Sequence, residues 1–316
     1  MPDYTILVLN PLKKHHIAAI RDISPNSTII TADMDTATQH IATADILVAW
    51  GHQDIRPLYL SAPKLQWVHA LSAGVENFLF PEMLSGSTVL TNSKGIHGIP
   101  ISEHVLALIL AFTRGLYPLL RQQQEHKWKR VFVDEVHEKT IGIVGLGNIG
   151  REIAKKAKAL GMHVTASKRE MTTELFVDTL YAPQQLKEML SVSDFVVVAL
   201  PLTEETAGLF DLEHFTAMKR SAYFINIARG GVVNEKDLIS ALQQGLIKGA
   251  GLDVVSEEPL PETSALWNMP NVIITPHLAG LSPSYLDRAI PLFADNLTRF
   301  PRYNEMLNVV DKQKGY

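Results

Sequence analysis

Between residues 140 and 160 the sequence joins a short apolar strand, Thr140-Ile141-Gly142-Ile143-Val144, to a helical pattern running from Ile149 to Leu160. The joint is Gly145-Leu146-Gly147-Asn148-Ile149-Gly150. A G-x-G-x-x-G run standing alone is a weak signal, but between a strand and a helix it marks a parallel α/β sheet with a seat for a dinucleotide. Gly145 permits the tight turn, Gly147 lets the backbone approach a pyrophosphate, and Gly150 lets helix and strand pack closely. The helix start at Asn148 and Ile149 then offers free N–H groups and a positive dipole end to the diphosphate.

The same alternation runs almost from end to end. In the first third, strands are expected at Thr5–Leu9, Thr28–Thr31, Ile46–Ala49, Leu65–Ala70 and Thr88–Leu90, with helical spacing over His15–Ile20. After a joint at Gly95–Pro100 comes a helix, Ser102–Arg114, with Ser102 as its N-cap and Val105, Leu106, Ile109 and Leu110 at helical spacing. A second series follows. Its strands are Thr140–Val144, His163–Ala166, Phe195–Val198, Ala222–Asn226, Gly249–Asp253 and Val272–Ile274. Its helices are Ile149–Leu160, Gln184–Leu190, Asp211–Ala217, Glu235–Gln244 and Tyr285–Phe300. Continuous apolar strands such as Phe195–Val198 belong in sheets buried on both faces, hence parallel strands with helical crossovers. The fold class is therefore α/β, with two doubly wound domains, and 316 residues suit that number.

Composition narrows the function. Hydrophobic residues at 46% and charged ones at 20% exclude a disordered or fibrous chain, and a net charge of −4 argues against a nucleic-acid or anionic-membrane partner. With no cysteine there is no disulfide, thiolate zinc site or cysteine nucleophile. No constellation of the remaining histidines, the His15-His16 pair included, suggests a metal. Met1-Pro2-Asp3-Tyr4 does not open a signal peptide, and the apolar run Val105–Phe112 is too short for a bilayer. The expectation is a soluble, cytoplasmic protein.

At the end of the strand after the glycine run, a dinucleotide site normally carries an acid for the ribose 2′-hydroxyl. This chain reads Ala166-Ser167-Lys168-Arg169. A hydroxyl and two cations suit a 2′-phosphate, so NADP(H) is expected over NAD(H), by roughly tenfold to a hundredfold at about 1 kcal/mol or less per exposed contact. The competing reading is two surface cations beside an NAD site.

Three ionisable residues follow at later strand ends, where open α/β sheets bind ligands: Arg229 before Gly230-Gly231, Glu258 in Ser256-Glu257-Glu258-Pro259, and His277 in Thr275-Pro276-His277. Together they compose a site for reducing a 2-keto acid. A guanidinium clamps a carboxylate and polarises the neighbouring carbonyl, an imidazole delivers a proton to the developing alkoxide, and a carboxylate orients the imidazole.

On these motifs the chain resembles the D-isomer-specific 2-hydroxyacid dehydrogenase family over nearly its whole length. Further matching segments are Leu71–Val75, Leu200–Thr203, Asn226–Gly231, Leu252–Pro261 and Thr275–Gly280. Trp50 and the ending Val310–Tyr316 are similar to the bacterial type A glyoxylate/hydroxypyruvate reductases within it. The resemblance implies Arg229, Glu258 and His277 as catalytic residues. Trp50 and the backbone N–H groups of Ala73 and Gly74 would join Arg229 and His277 on the substrate. Asp253 would bond the nicotinamide carboxamide and Leu200-Pro201 would line the adenosine side, with Thr206, Ala228, His277 and Gly280 also on the cofactor. It implies a flavodoxin-like substrate domain of residues 1–98 plus 283–316, a Rossmann cofactor domain of residues 99–282, and a homodimer formed around Ser102–Arg114. Glu258 is preferred to Glu257 because the family's acid immediately precedes the proline. An NAD-dependent dehydrogenase of another 2-hydroxy acid stays open, as does a cofactor-sensing corepressor of the same fold.

Overall fold

The structure, a computed structural model, describes residues 3–315; Met1, Pro2 and Tyr316, which entered the reading of the two ends, lie outside the described residues. The chain divides into two compact units, one made of the residues up to Ile96 and from Ser282 onward, the other of His97–Leu281.

The first unit holds five parallel strands: β1 (Thr5–Val8), β2 (Thr28–Thr31), β3 (Ile46–Ala49), β4 (Trp67–Ala70) and β5 (Val89–Asn92), in the order β2-β1-β3-β4-β5. That is the flavodoxin-like order, with its switch point between β1 and β3. Both faces are covered. Leu7, Leu47, Val68 and Leu90 point into one core, while Ile6, Val8, Ile46, Val48 and Trp67 point into the other. The C-terminal helix Tyr285–Arg299 fills this second core with Ala289, Ile290, Phe293 and Leu297. Period-2 alternation inside all-apolar strands is what lets one strand feed two cores.

The second unit holds β6 (Thr140–Val144), β7 (His163–Ser167), β8 (Thr179–Tyr181), β9 (Phe195–Val198), β10 (Tyr223–Asn226), β11 (Gly249–Leu252) and β12 (Val272–Ile274). Their order is β12-β11-β10-β9-β6-β7-β8, all parallel, a Rossmann sheet extended by one strand, with the switch point between β6 and β9. The edge strand β8 is absent from the sequence reading because three residues with one apolar side chain, Leu180, carry no periodic signal.

One helix starts elsewhere than expected. Gly98–Thr113 is helical, so Ser102 is not an N-cap. Pro100 occupies the first turn, where its missing N–H costs no helical bond, so the apparent Gly/Pro joint is the helix start itself. Ser102 is buried one turn in, and its hydroxyl donates to the Ile99 carbonyl at 2.9 Å. Asp211, expected as a helical residue, instead caps Leu212–Ala217 by accepting the His214 N–H. Among the described residues no single helix is long and apolar enough to cross a membrane.

Candidate active site

The glycine turn sits at the switch point of the second unit. Gly145 has φ +99°, and a Cβ there would meet the Ala199 carbonyl oxygen after β9 at 2.6 Å. A Cβ on Gly150 would stand 2.4 Å from the Gly145 carbonyl oxygen, so both positions are glycine for reasons internal to the protein. Gly147 differs: no atom lies within 4 Å of the place its Cβ would take. As N-cap of the helix Asn148–Ala159 it brings no side-chain cap, so the first N–H groups of Asn148 and Ile149 face outward over an open backbone. Those residues fit a diphosphate. Leu200 packs against Gly145 across the switch point. Thr206 is buried and holds the 201–206 turn, donating to the Pro201 carbonyl at 2.6 Å and accepting the Thr203 N–H at 2.8 Å.

At the end of β7, Ser167 is buried and Lys168 is 12% exposed. The Lys168 ammonium contacts Glu174 at 2.6 Å and Thr172 at 2.8 Å. Arg151 grips the same Glu174 through two bonds of 2.8 and 2.7 Å. These bonds, Arg151's first and Lys168's second, hold the Glu174 carboxyl down at about 2. Arg169, exposed, pairs with Glu205. Sequence reasoning saw the cations and missed both carboxylates, because each is brought in by a loop.

Arg229, Glu258 and His277 follow the neighbouring strands β10, β11 and β12. His277 Nδ1 lies 2.8 Å from Glu258 Oε2, with the two side chains 50% and 38% exposed. Glu258 Oε1 accepts the Val255 N–H at 3.3 Å; Glu257 is exposed beside it. The His277 backbone is left-handed, with φ +51°, unusual for a residue bearing a Cβ. Asp253 is what sustains it. Only 3% exposed, its carboxylate accepts the Thr275 hydroxyl at 2.6 Å and the N–H groups of Leu278 and Ala279 at 3.0 and 2.9 Å, while its backbone carbonyl accepts the His277 N–H at 2.8 Å. Asp253 therefore builds the turn that presents the imidazole, a task the strand-end reading did not assign to it.

The Arg229 turn is held comparably. Asn226, at the end of β10, donates to the Arg229 carbonyl at 3.2 Å and accepts the Ala228 N–H at 3.1 Å; Arg229 Nη1 donates to the Ala228 carbonyl at 2.8 Å. A Cβ on Gly230 would fall 1.8 Å from the Val255 carbonyl oxygen, so glycine is what allows the Glu258-bearing loop to run directly against this turn. His97, unnoticed in the sequence, lies next to Gly280. Burial, and then the Arg229 guanidinium, push its imidazole down to about 4, so it is neutral at pH 7 and adds no second positive charge there.

In the first unit, the loop after β4 has its carbonyls occupied. Leu71 O accepts the Tyr285 hydroxyl, Ala73 O accepts Asn92 Nδ2 at 2.8 Å, and Gly74 O accepts the Ser72 hydroxyl at 2.6 Å. Among the described residues the N–H groups of Ala73 and Gly74 have no partner, which suits an anion. Trp50, after β3, lies tilted against Tyr285, with ring centroids 4.8 Å apart, and donates from its indole to Asn10 at 3.0 Å, bridging the switch point of this sheet.

His15 and His16 do acquire a carboxylate: both Nε2 atoms lie 2.8 Å from Asp287 Oδ1, and these hydrogen bonds lower the Asp287 carboxyl to about 2. The fold supplies this partner from a distant helix. His16 Nδ1 accepts the Lys13 N–H, which leaves its Nε2 carrying the hydrogen toward Asp287. The cluster is accounted for as a tie between the helices Lys14–Ile23 and Tyr285–Arg299.

Residues 106–279 match the model for the NAD binding domain of D-isomer specific 2-hydroxyacid dehydrogenases. A glyoxylate/hydroxypyruvate reductase B of Escherichia fergusonii is 32% identical, the match covering 99% of this chain and 96% of that one. A D-isomer specific 2-hydroxyacid dehydrogenase family protein of Aeromonas salmonicida is similar in structure, with TM-score 0.90, 33% identity and coverage of 98% and 100%. An NADPH-dependent glyoxylate/hydroxypyruvate reductase of Sinorhizobium meliloti, solved with NADP and sulfate, has TM-score 0.82 and 30% identity, covering 99% and 100%.

Proposed function

Because the chain belongs to the D-isomer specific 2-hydroxyacid dehydrogenase family, and is thus an NAD(P)-dependent oxidoreductase, we propose that it is an NADPH-preferring reductase of small 2-keto acids of the glyoxylate and hydroxypyruvate type. The observation that carries the reading is the His277–Glu258 pair, held beside the Arg229 turn at the ends of adjacent strands. A dinucleotide held at Gly145, Gly147 and the helix start at Asn148 would supply hydride chemistry to the substrate carbonyl carbon. Arg229 binds the substrate carboxylate and polarises the carbonyl. With Nδ1 turned to Glu258, His277 protonates the carbonyl oxygen from Nε2, giving a 2-hydroxy acid, of D configuration where the carbonyl is a ketone. Ala73, Gly74 and Trp50 belong to the substrate-binding unit, and the unit His97–Leu281 binds the cofactor through Gly145, Gly147, Asn148, Ile149 and Gly150. The test is NADPH and NADH oxidation against a panel of 2-keto acids. Turnover of glyoxylate or hydroxypyruvate supports the reading, and its absence with every keto acid removes it.

Ser167, Lys168 and Arg169 are the proposed seat of the 2′-phosphate. Since Lys168 and Arg169 are already paired, the preference for NADPH in kcat/KM is expected near the lower end, roughly tenfold, or ~1.4 kcal/mol. It should shrink as salt rises. Lys168→Asp should reverse it by repelling the phosphate and offering the ribose an acceptor. Equal efficiency with both cofactors in the wild type at low and high ionic strength would return these residues to ordinary surface charges.

The proposed assembly is a homodimer. It is supported by an apolar surface next to the helix Gly98–Thr113, where Leu116, Leu120 and Val133 are exposed and Trp128 and Phe132 fully so. Sedimentation should give twice the 35.0 kDa chain mass, and Trp128→Glu with Phe132→Glu should return it to 35.0 kDa. A monomeric wild type would overturn the dimer.

A further inference from the structure

The two cations that face Glu174 come from different elements: Lys168 from the end of β7, and Arg151 from the first turn of the helix that follows the glycine run. Glu174 itself is only 9% exposed, so it shares one well-covered site with both. Arg151 was no part of the cofactor reading, and Glu174 is a carboxylate returned by a loop to a strand end that lacks one.

We propose that Glu174 is a specificity-determining counter-ion: it occupies Lys168 and Arg151 until a 2′-phosphate displaces it, and so sets how strongly the chain separates NADPH from NADH. The proposal rests on the reading of Lys168 as part of the 2′-phosphate seat. A phosphomonoester carries close to two negative charges and three acceptor oxygens, against one charge on the carboxylate, so it is the stronger ligand for a pair of cations. A carboxylate left beside it would repel it. Against a cofactor with a bare 2′-hydroxyl nothing needs displacing, so Glu174 lowers the advantage of NADPH and leaves NADH little affected. Arg151 then acts as a further cation of the seat, uncovered when Glu174 leaves.

The experiment is fluorescence titration of the full-length protein with NADPH and NADH, for the wild type, Glu174→Gln and Arg151→Gln. The glutamine keeps the shape of Glu174 and removes its charge. Glu174→Gln is expected to tighten NADPH about five- to tenfold and to change NADH by less than twofold, the NADH arm also reporting that the variant is folded. Arg151→Gln is expected to weaken NADPH several-fold more than NADH. Weaker NADPH binding in Glu174→Gln would make the carboxylate a holder of the cations and overturn the proposal, as would unchanged binding. A wild type that binds both cofactors equally overturns the underlying seat; a wild type that prefers NADPH, with no response to Glu174→Gln, overturns only the counter-ion.

Discussion

Replacing His277 with alanine is expected to lower turnover by ~100-fold or more, the scale of losing a positioned general acid, with dinucleotide affinity changed only slightly. The imidazole touches Glu258 through one nitrogen and is half exposed, so removing it opens no cavity in the core. The backbone needs a separate control, because residue 277 is left-handed. Asparagine tolerates that conformation better than most side chains, so His277→Asn should keep the turn built by Asp253 while losing the proton donor. A comparable loss in both variants assigns the effect to the imidazole. Near-normal steady-state turnover in the asparagine variant would remove His277 from the mechanism.

Arg229→Lys should also be severe, although the charge is retained. A guanidinium presents donors in a planar fork matched to a carboxylate, and an ammonium does not reproduce two parallel bonds. Losing one charged hydrogen bond of about 1.5–3 kcal/mol corresponds to roughly 10- to 100-fold in kcat/KM for the keto acid. The turn should survive, since Asn226 holds it through the Ala228 N–H and the Arg229 carbonyl rather than through the guanidinium. Cofactor affinity should therefore hold. A change of less than a few-fold with every keto acid would show that Arg229 does not clamp the substrate.

Local order was legible in the residues. Strand and helix patterns depend on spacings of two to four positions, so β1, β6 and β9 could be read directly, and the glycine run could be placed on a strand-to-helix turn. The identities of Arg229, Glu258 and His277 were visible for the same reason: each follows a recognisable apolar strand. The helix start at Gly98 was misjudged because a Gly and a Pro read as breakers, whereas in a first turn they break nothing.

Tertiary structure alone decided which charges meet. Arg151 and Glu174 are 23 positions apart, Glu258 and His277 are 19 apart, and His15 reaches Asp287 across 272. No spacing rule encodes such pairs, because strand order and loop path set them, and a loop's path follows from packing rather than from periodicity. The same holds for Asp253, whose place at a strand end was plain but whose bonds to Thr275, Leu278 and Ala279 exist only because β11 and β12 are neighbours in register. By itself the sequence determined the two sheets, the glycine turn and the chemical kinds of side chain at the strand ends. The fold decided their partners, and with them which cations are already neutralised and which turn holds the imidazole, since Coulomb and hydrogen-bond energies depend on separations of a few ångströms that only the assembled sheets define.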